Sequence, residues 1–162
     1  MSTIFRRLPA NLLALACAGT CLAAQPDTPS LHFGAKVPAQ VKRTYERGLA
    51  YLQGAQDSSG SWAGNGRSSS NQNGIDALCI LAMLASGEDP NFGRYSANVR
   101  RGLARLVSQQ DAETGYFGSS MYNHGFAMLA LAEAYGAVDE SLLWAGSKTP
   151  PGKRRPLARA LE

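Results

Sequence analysis

Sulfur and imidazole are scarce in this sequence. Of three cysteines in 162 residues, Cys17 and Cys21 fall within the first 24, which leaves Cys79 alone in the remainder. One thiol cannot close an internal disulfide, so packing has to hold the fold. Cys79 sits inside GIDALCILAMLASG, and an apolar setting raises a thiol pKa, which makes it a buried filler rather than a nucleophile. Histidine occurs only as His32 and His124. Past the N-terminal stretch no hydrophobic run reaches the roughly 18 uncharged residues of a membrane span, so none is expected in the mature chain. A basic surface is also missing. The net charge is +4, yet residues 25–147 carry nine Lys or Arg against eleven Asp or Glu. The positive excess lies at the ends, in Arg6 and Arg7 and in Lys148, Lys153, Arg154, Arg155 and Arg159. That distribution argues against a nucleic-acid partner.

What is present begins with an address label. MSTIFRR supplies a positive start, NLLALACAGTCLAA an apolar stretch too short to span a bilayer, and small residues lead to a cut near Ala24. Residues 1–24 are therefore expected to be a signal peptide and 25–37 a linker, with the folded domain at 38–162. The product is periplasmic or secreted, by the general route or, given the twin arginines, by the Tat route.

The domain repeats itself. RGLAYLQGAQDSSGSW around residue 48 returns as RGLARLVSQQDAETGYF around residue 102, 54 residues later. Leu49/Leu103, Leu52/Leu106, Gln56/Gln110 and Asp57/Asp111 keep that spacing, and one inserted residue brings Gly60-Ser61-Trp62 opposite Gly115-Tyr116-Phe117. A further step lays VRRGLARL over KRRPLARA, so the tail reads as the first turns of a third unit. Each unit opens with an amphipathic stripe, Val41, Tyr45, Leu49, Leu52 in one and Val99, Leu103, Leu106, Val107 in the other. That is the spacing of a helix buried on one side. A Gly/Ser loop with an aromatic just beyond a glycine follows. Next comes an element apolar on nearly every side, IDALCILAMLAS or GFAMLALAEAY, stopped by Gly87 or Gly136. Leu, Met and Ala dominate there, which favours helix over strand. The expectation is an all-α array of outer and inner helices, the inner ones buried on all sides, in about two repeats plus the start of a third. Its open edge should need more chain or a partner.

The pairs GLAYLQGAQDSSGSW and GLARLVSQQDAETGYF resemble the Q-x-x-x-G-x-W repeats of the squalene cyclase and prenyltransferase superfamily, and SMYNHGFAMLALAEAYG resembles the inner-helix signature of its exported bacterial members. The resemblance covers roughly residues 38–162 and implies an α/α toroid, here incomplete. It brings no catalytic set. Where the cyclases carry an acidic D-x-D-D cluster, NGIDAL offers Asp76 alone, which is expected to cap its helix or meet the positive helix end. The Asp, Cys and His zinc ligands of the protein prenyltransferases have no D-x-C counterpart, the Cys-Gly-Glu-Gln thioester string is absent, and neither a metal nor a cofactor is expected. The implied function is a binding or scaffold role through the concave face, for an apolar or polymeric ligand or a protein at the open edge. The alternative is a fragment of an enzyme acting on isoprenoid-like or polysaccharide substrates, with its acids in repeats missing here.

Within that frame the candidate ligand-binding residues are His124, Tyr122 and Asp76. His124 stands at the entrance of the second inner helix, where it either faces the cavity or hydrogen-bonds a loop to fix the helix start. Tyr122 lines a pocket with it or packs under the loop. Gln56, Trp62, Gln110 and Phe117 are implied to be structural, tying one helix pair to the next.

Overall fold

The computed structural model describes residues 37–62, 70–118, 120–147 and 149–162. The expected signal peptide, the linker as far as residue 36, and residues 63–69 of the first loop lie outside the described residues. Among the described residues all regular structure is helical and no strand occurs: α1 (Ala39–Ala55), α2 (Gln72–Leu84), α3 (Ser96–Gln109), α4 (Met121–Ala134), α5 (Glu140–Leu143), a 3₁₀ turn (Pro151–Lys153) and α6 (Leu157–Leu161). None of these helices is long and apolar enough to cross a membrane.

The amphipathic stripes become α1 and α3. Val99, Leu103, Leu106 and Val107 are all buried in α3, whereas α1 buries only Leu49, leaves Tyr45 and Leu52 half-buried and exposes Val41. The difference follows from neighbours. α3 is packed against both α2 and α5, while α1 leans lightly on α2. Gly102 lets α3 come close: a Cβ there would lie 2.9 Å from Ile80 Cγ1 and 3.0 Å from Trp62 Cζ3.

α2 and α4 form the most extensive helix contact of the molecule. They run parallel. Their N-termini meet where the Asn123 side chain donates to the Ser70 carbonyl (2.9 Å) and closes over Gly74. The loops past their C-termini meet where Asn91 Nδ2 donates to the Ala137 carbonyl (2.9 Å). Both helices end on a left-handed glycine, Gly87 at φ 77° and Gly136 at φ 82°, a backbone state that side chains with a Cβ resist. Ala77, Ile80 and Met83 of α2 and Ala127, Ala130, Leu131 and Ala134 of α4 form the core with α3.

Burial on all sides, expected of the inner helices from their all-round apolarity, does not hold. Ile75 and Leu78 of α2 are 40% and 42% exposed, and Leu129 of α4 is 47% exposed. The apolar residues that face the core take only part of each helix circumference, and the rest forms an uncovered strip.

The third unit differs from its expected register as well. Arg100 and Arg101 lie inside α3, but Arg154 and Arg155, their counterparts 54 residues on, precede α6. Pro156 takes the position before α6, and a proline restricts the residue before it to extended backbone. The helix therefore starts only at Leu157, whose backbone N–H donates to the Glu140 carboxylate (2.9 Å). The segment between Gly136 and α6, with α5 and the 3₁₀ turn in it, had no counterpart in the repeat.

Candidate functional site

The chemistry-bearing residues collect beneath the two loops that follow α1 and α3. Each loop is built alike. In the first, Asp57 accepts at one carboxylate oxygen from the Ser59 N–H (2.7 Å), the Ser59 hydroxyl (2.6 Å) and the Ser61 N–H (3.1 Å). In the second, Asp111 accepts from the Glu113 N–H (3.0 Å), the Thr114 N–H (2.7 Å) and the Thr114 hydroxyl (2.8 Å). An aspartate reaching two or three residues ahead pre-forms a turn, and a glycine with positive φ, Gly60 (93°) or Gly115 (69°), completes it. Partial burial pulls the Asp57 pKa up, but the hydrogen bonds from Ser59 and Ser61 outweigh it and hold the carboxyl below its ordinary value. Asp111 is held low by the Thr114 N–H, then by the Thr114 hydroxyl and the Glu113 N–H.

The glutamine before each aspartate spans two units. Gln56 Nε2 donates to the carbonyls of Gly60 (3.1 Å) and of Asn98 in α3 (2.9 Å). Gln110 Nε2 donates to the carbonyls of Gly115 (2.9 Å) and of Ala160 in α6 (2.8 Å). An arginine grips each junction: Arg101 donates to Gln56 Oε1 (2.9 Å), and Arg155 donates to the carbonyls of Val107 (3.2 Å) and Gln110 (3.3 Å). The 54-residue spacing thus preserves the role of the arginine although its helical register is lost. Trp62 and Phe117 are buried behind their glycines, and the Trp62 indole N–H donates to the Leu52 carbonyl (2.8 Å).

Asp76 is fully buried, but it does not cap its helix. α2 begins at Gln72, earlier than NGIDAL suggested, and Asp76 lies a full turn inside it. One of its oxygens accepts from the Trp62 N–H (2.9 Å), Gln72 Nε2 (2.8 Å) and the Ser61 hydroxyl (3.1 Å); the other accepts from Arg105 Nε (2.9 Å). The carboxylate ties the first loop and α2 to α3. A lone carboxylate in an apolar helix calls for a cation. The sequence held a hint in Arg105, which stands where the first unit has Tyr51, a departure from the repeat that sequence reasoning passed over.

His124 and Tyr122 do not share a pocket. The His124 ring stacks on Tyr116 (centroids 5.0 Å apart) and lies 6.0 Å from Phe117, under the second loop. Its Nδ1 is buried and meets no hydrogen-bond partner among the described residues. Tyr122, two residues away, projects from a different face of α4, is 63% exposed, and meets Phe126 edge-on (4.6 Å). Cys79 is half-buried; burial, and then the negative charge of Asp76, push its thiol up to about 11, which leaves almost no thiolate at neutral pH. No cluster of three His, Cys, Asp or Glu side chains able to hold a metal occurs among the described residues.

One surface with capacity for a ligand is apolar. Ile75, Leu78 and Ala82 follow one another at i, i+3, i+7 along α2, and Tyr122, Phe126 and Leu129 at i, i+4, i+7 along the parallel α4. Beyond Ala82 the strip runs into a cleft of about 360 Å³ between α1 and α2, lined by Tyr45, Gly48, Leu49, Tyr51, Leu52 and Ala82. Compared with known proteins, the chain matches no family model, no curated protein and no solved structure.

Proposed function

We propose that this chain is an exported α/α-hairpin repeat protein of toroid type that binds an elongated apolar ligand along its inner helices. The observation that carries the reading is the uncovered strip on α2 and α4, where Ile75, Leu78 and Leu129 stay 40–47% exposed. Exposed apolar side chains on two packed helices, where they join into one patch, form the kind of surface that binds apolar partners. It supports binding rather than turnover: Asp76 is spent on Arg105 and the first loop, and His124 is stacked under the second loop. The two loops with their bridging glutamines support a toroid-type arc, and the N-terminal apolar stretch supports export.

Titration with farnesol, an apolar C15 alcohol, followed by tyrosine and tryptophan fluorescence, tests the reading. Saturable binding is expected, with Leu78→Glu and Leu129→Glu each weakening it about tenfold, the equivalent of roughly 1.4 kcal/mol for one half-exposed leucine. Unchanged melting temperatures would show both variants intact. Binding that is absent, or indifferent to both substitutions, refutes the proposal.

A further inference from the structure

On the outer side, away from the apolar strip, a second cleft of about 230 Å³ opens between the first loop, α3 and the segment after α5. Arg101, Arg105, Ser58, Ser59, Ser108, Ser147 and Thr149 line it, with Gly146. No carboxylate and no large apolar side chain is among its described lining residues. Two guanidiniums and several hydroxyls converging on a hollow of this size are complementary to one small, multiply charged oxyanion.

Donor accounting strengthens the case. The Arg105 side chain spends Nε on Asp76 and makes no other hydrogen bond among the described residues, so its two terminal nitrogens keep their donors. The buried carboxylate fixes the fork in place, and an immobilised fork loses little entropy on binding. Arg101 commits Nε and Nη2 to Gln56 and keeps Nη1. The Ser147 hydroxyl donates to Thr149 Oγ1 (3.0 Å) and accepts from the Thr149 N–H (3.1 Å), which leaves the Thr149 hydroxyl proton to point elsewhere. Ser59 and Ser108 already donate within the protein, to Asp57 and to the Arg105 carbonyl (2.6 Å). Asp57 lies nearby, with Oδ1 bound in its own turn and its charge felt by Arg105.

We infer that this cleft is a binding site for a tetrahedral oxyanion, a phosphate or sulfate group, held by Arg101, Arg105 and Thr149. The site is independent of the apolar strip. The same chemistry admits a free ion or a monoester on a larger molecule.

The test uses the whole chain and follows the melting temperature and calorimetric binding with inorganic phosphate, sulfate and glycerol phosphate, against sodium chloride at equal ionic strength. Saturable binding is expected on the order of 1 mM or tighter. Arg101→Ala should weaken it about tenfold, and Thr149→Val several-fold. Arg43→Ala, which removes the same charge from the exposed face of α1, should leave it unchanged. Arg105 is avoided as a probe because its loss would strand Asp76. Glycerol phosphate matching inorganic phosphate assigns the site to esters, and binding of the inorganic ions alone assigns it to free anions. Absence of saturation beyond the chloride control overturns the inference, and so does an Arg101→Ala loss no larger than that of Arg43→Ala.

Discussion

The two loop-and-helix segments share an aspartate turn and a bridging glutamine and differ in what lies beneath them. Under the first, a buried carboxylate gathers donors from Ser61, Trp62, Gln72 and Arg105. Under the second, rings fill the space, with His124 against Tyr116 and Phe117, and polar atoms are left over: Gln110 Oε1 and His124 Nδ1 meet no partner among the described residues. In the first unit the matching oxygen, Gln56 Oε1, accepts from both Asn98 and Arg101. Counted along its helix, the position of Asp76 in α2 is taken in α4 by Gly125. The turn and the glutamine bridge are thus the invariant part of the hairpin, and the contents of the loop are free to change from ionic to aromatic.

The largest expected effect breaks the ionic side of that comparison. Asp76→Ala removes the acceptor of a half-buried guanidinium, a buried backbone N–H and a buried amide at once, and truncating one partner of such a pair costs about 3 kcal/mol. The melting temperature should fall by roughly 10 °C. Replacing both partners, Asp76→Ala with Arg105→Leu, should recover part of the loss, because the stranded charge is then gone. A loss of about 1 kcal/mol, the cost of a missing cap, would instead show that the network contributes little.

How the two units pack their outer helices gives the next contrast. Gly48 and Gly102 are repeat partners, yet a Cβ on Gly48 meets nothing within 4 Å while one on Gly102 collides with Ile80 and Trp62. Gly48→Ala should stabilise by about 0.5–1 kcal/mol through helix propensity. Gly102→Ala should destabilise by about 2 kcal/mol, as overpacking does in a closed interface. Urea unfolding of the two variants checks the pair. Effects of equal sign would mean that α3 does not approach α2 as closely as the structure shows.

Helical class, the two amphipathic stripes, the stop glycines and the paired loops were all legible in the sequence, because each rests on local spacing or on the repeat. The content of the loops was not. Asp76 looked like a cap because its cation lies 29 residues away on another helix, and no local pattern announces such a partner. Tyr122 and His124 looked like pocket mates because they are adjacent in the chain, but residues two apart on a helix point to different sides. Burial of the inner helices was overstated for a related reason: an apolar sequence states what a face tolerates, and the neighbours that would cover Ile75, Leu78 and Leu129 have to be found in three dimensions. The third unit misled through Pro156, which moves the start of α6 past the arginines.

The smallest effect concerns the part the two units have in common. Asp57 and Asp111 both titrate below the ordinary aspartate value of 3.8. In the unfolded chain they take up protons near that value, and in the folded chain only at lower pH. Between the two values the unfolded state binds more protons, so each turn contributes stability that is complete above pH 3.8 and is lost as pH falls through the lower, folded value. Asp57→Asn and Asp111→Asn should therefore cost less at pH 3 than at pH 7, and each should flatten the acid limb of stability measured by urea unfolding between pH 2.5 and pH 5. Flattening by both variants would mean that the turns act alike whatever lies beneath them. If only Asp57→Asn flattens the limb, the two turns respond differently although each has an arginine nearby, Arg105 by Asp57 and Arg155 by Asp111, and the two loops are then less equivalent than their shared turns suggest. An acid limb unmoved by either variant would remove the carboxylates from the account of turn stability altogether.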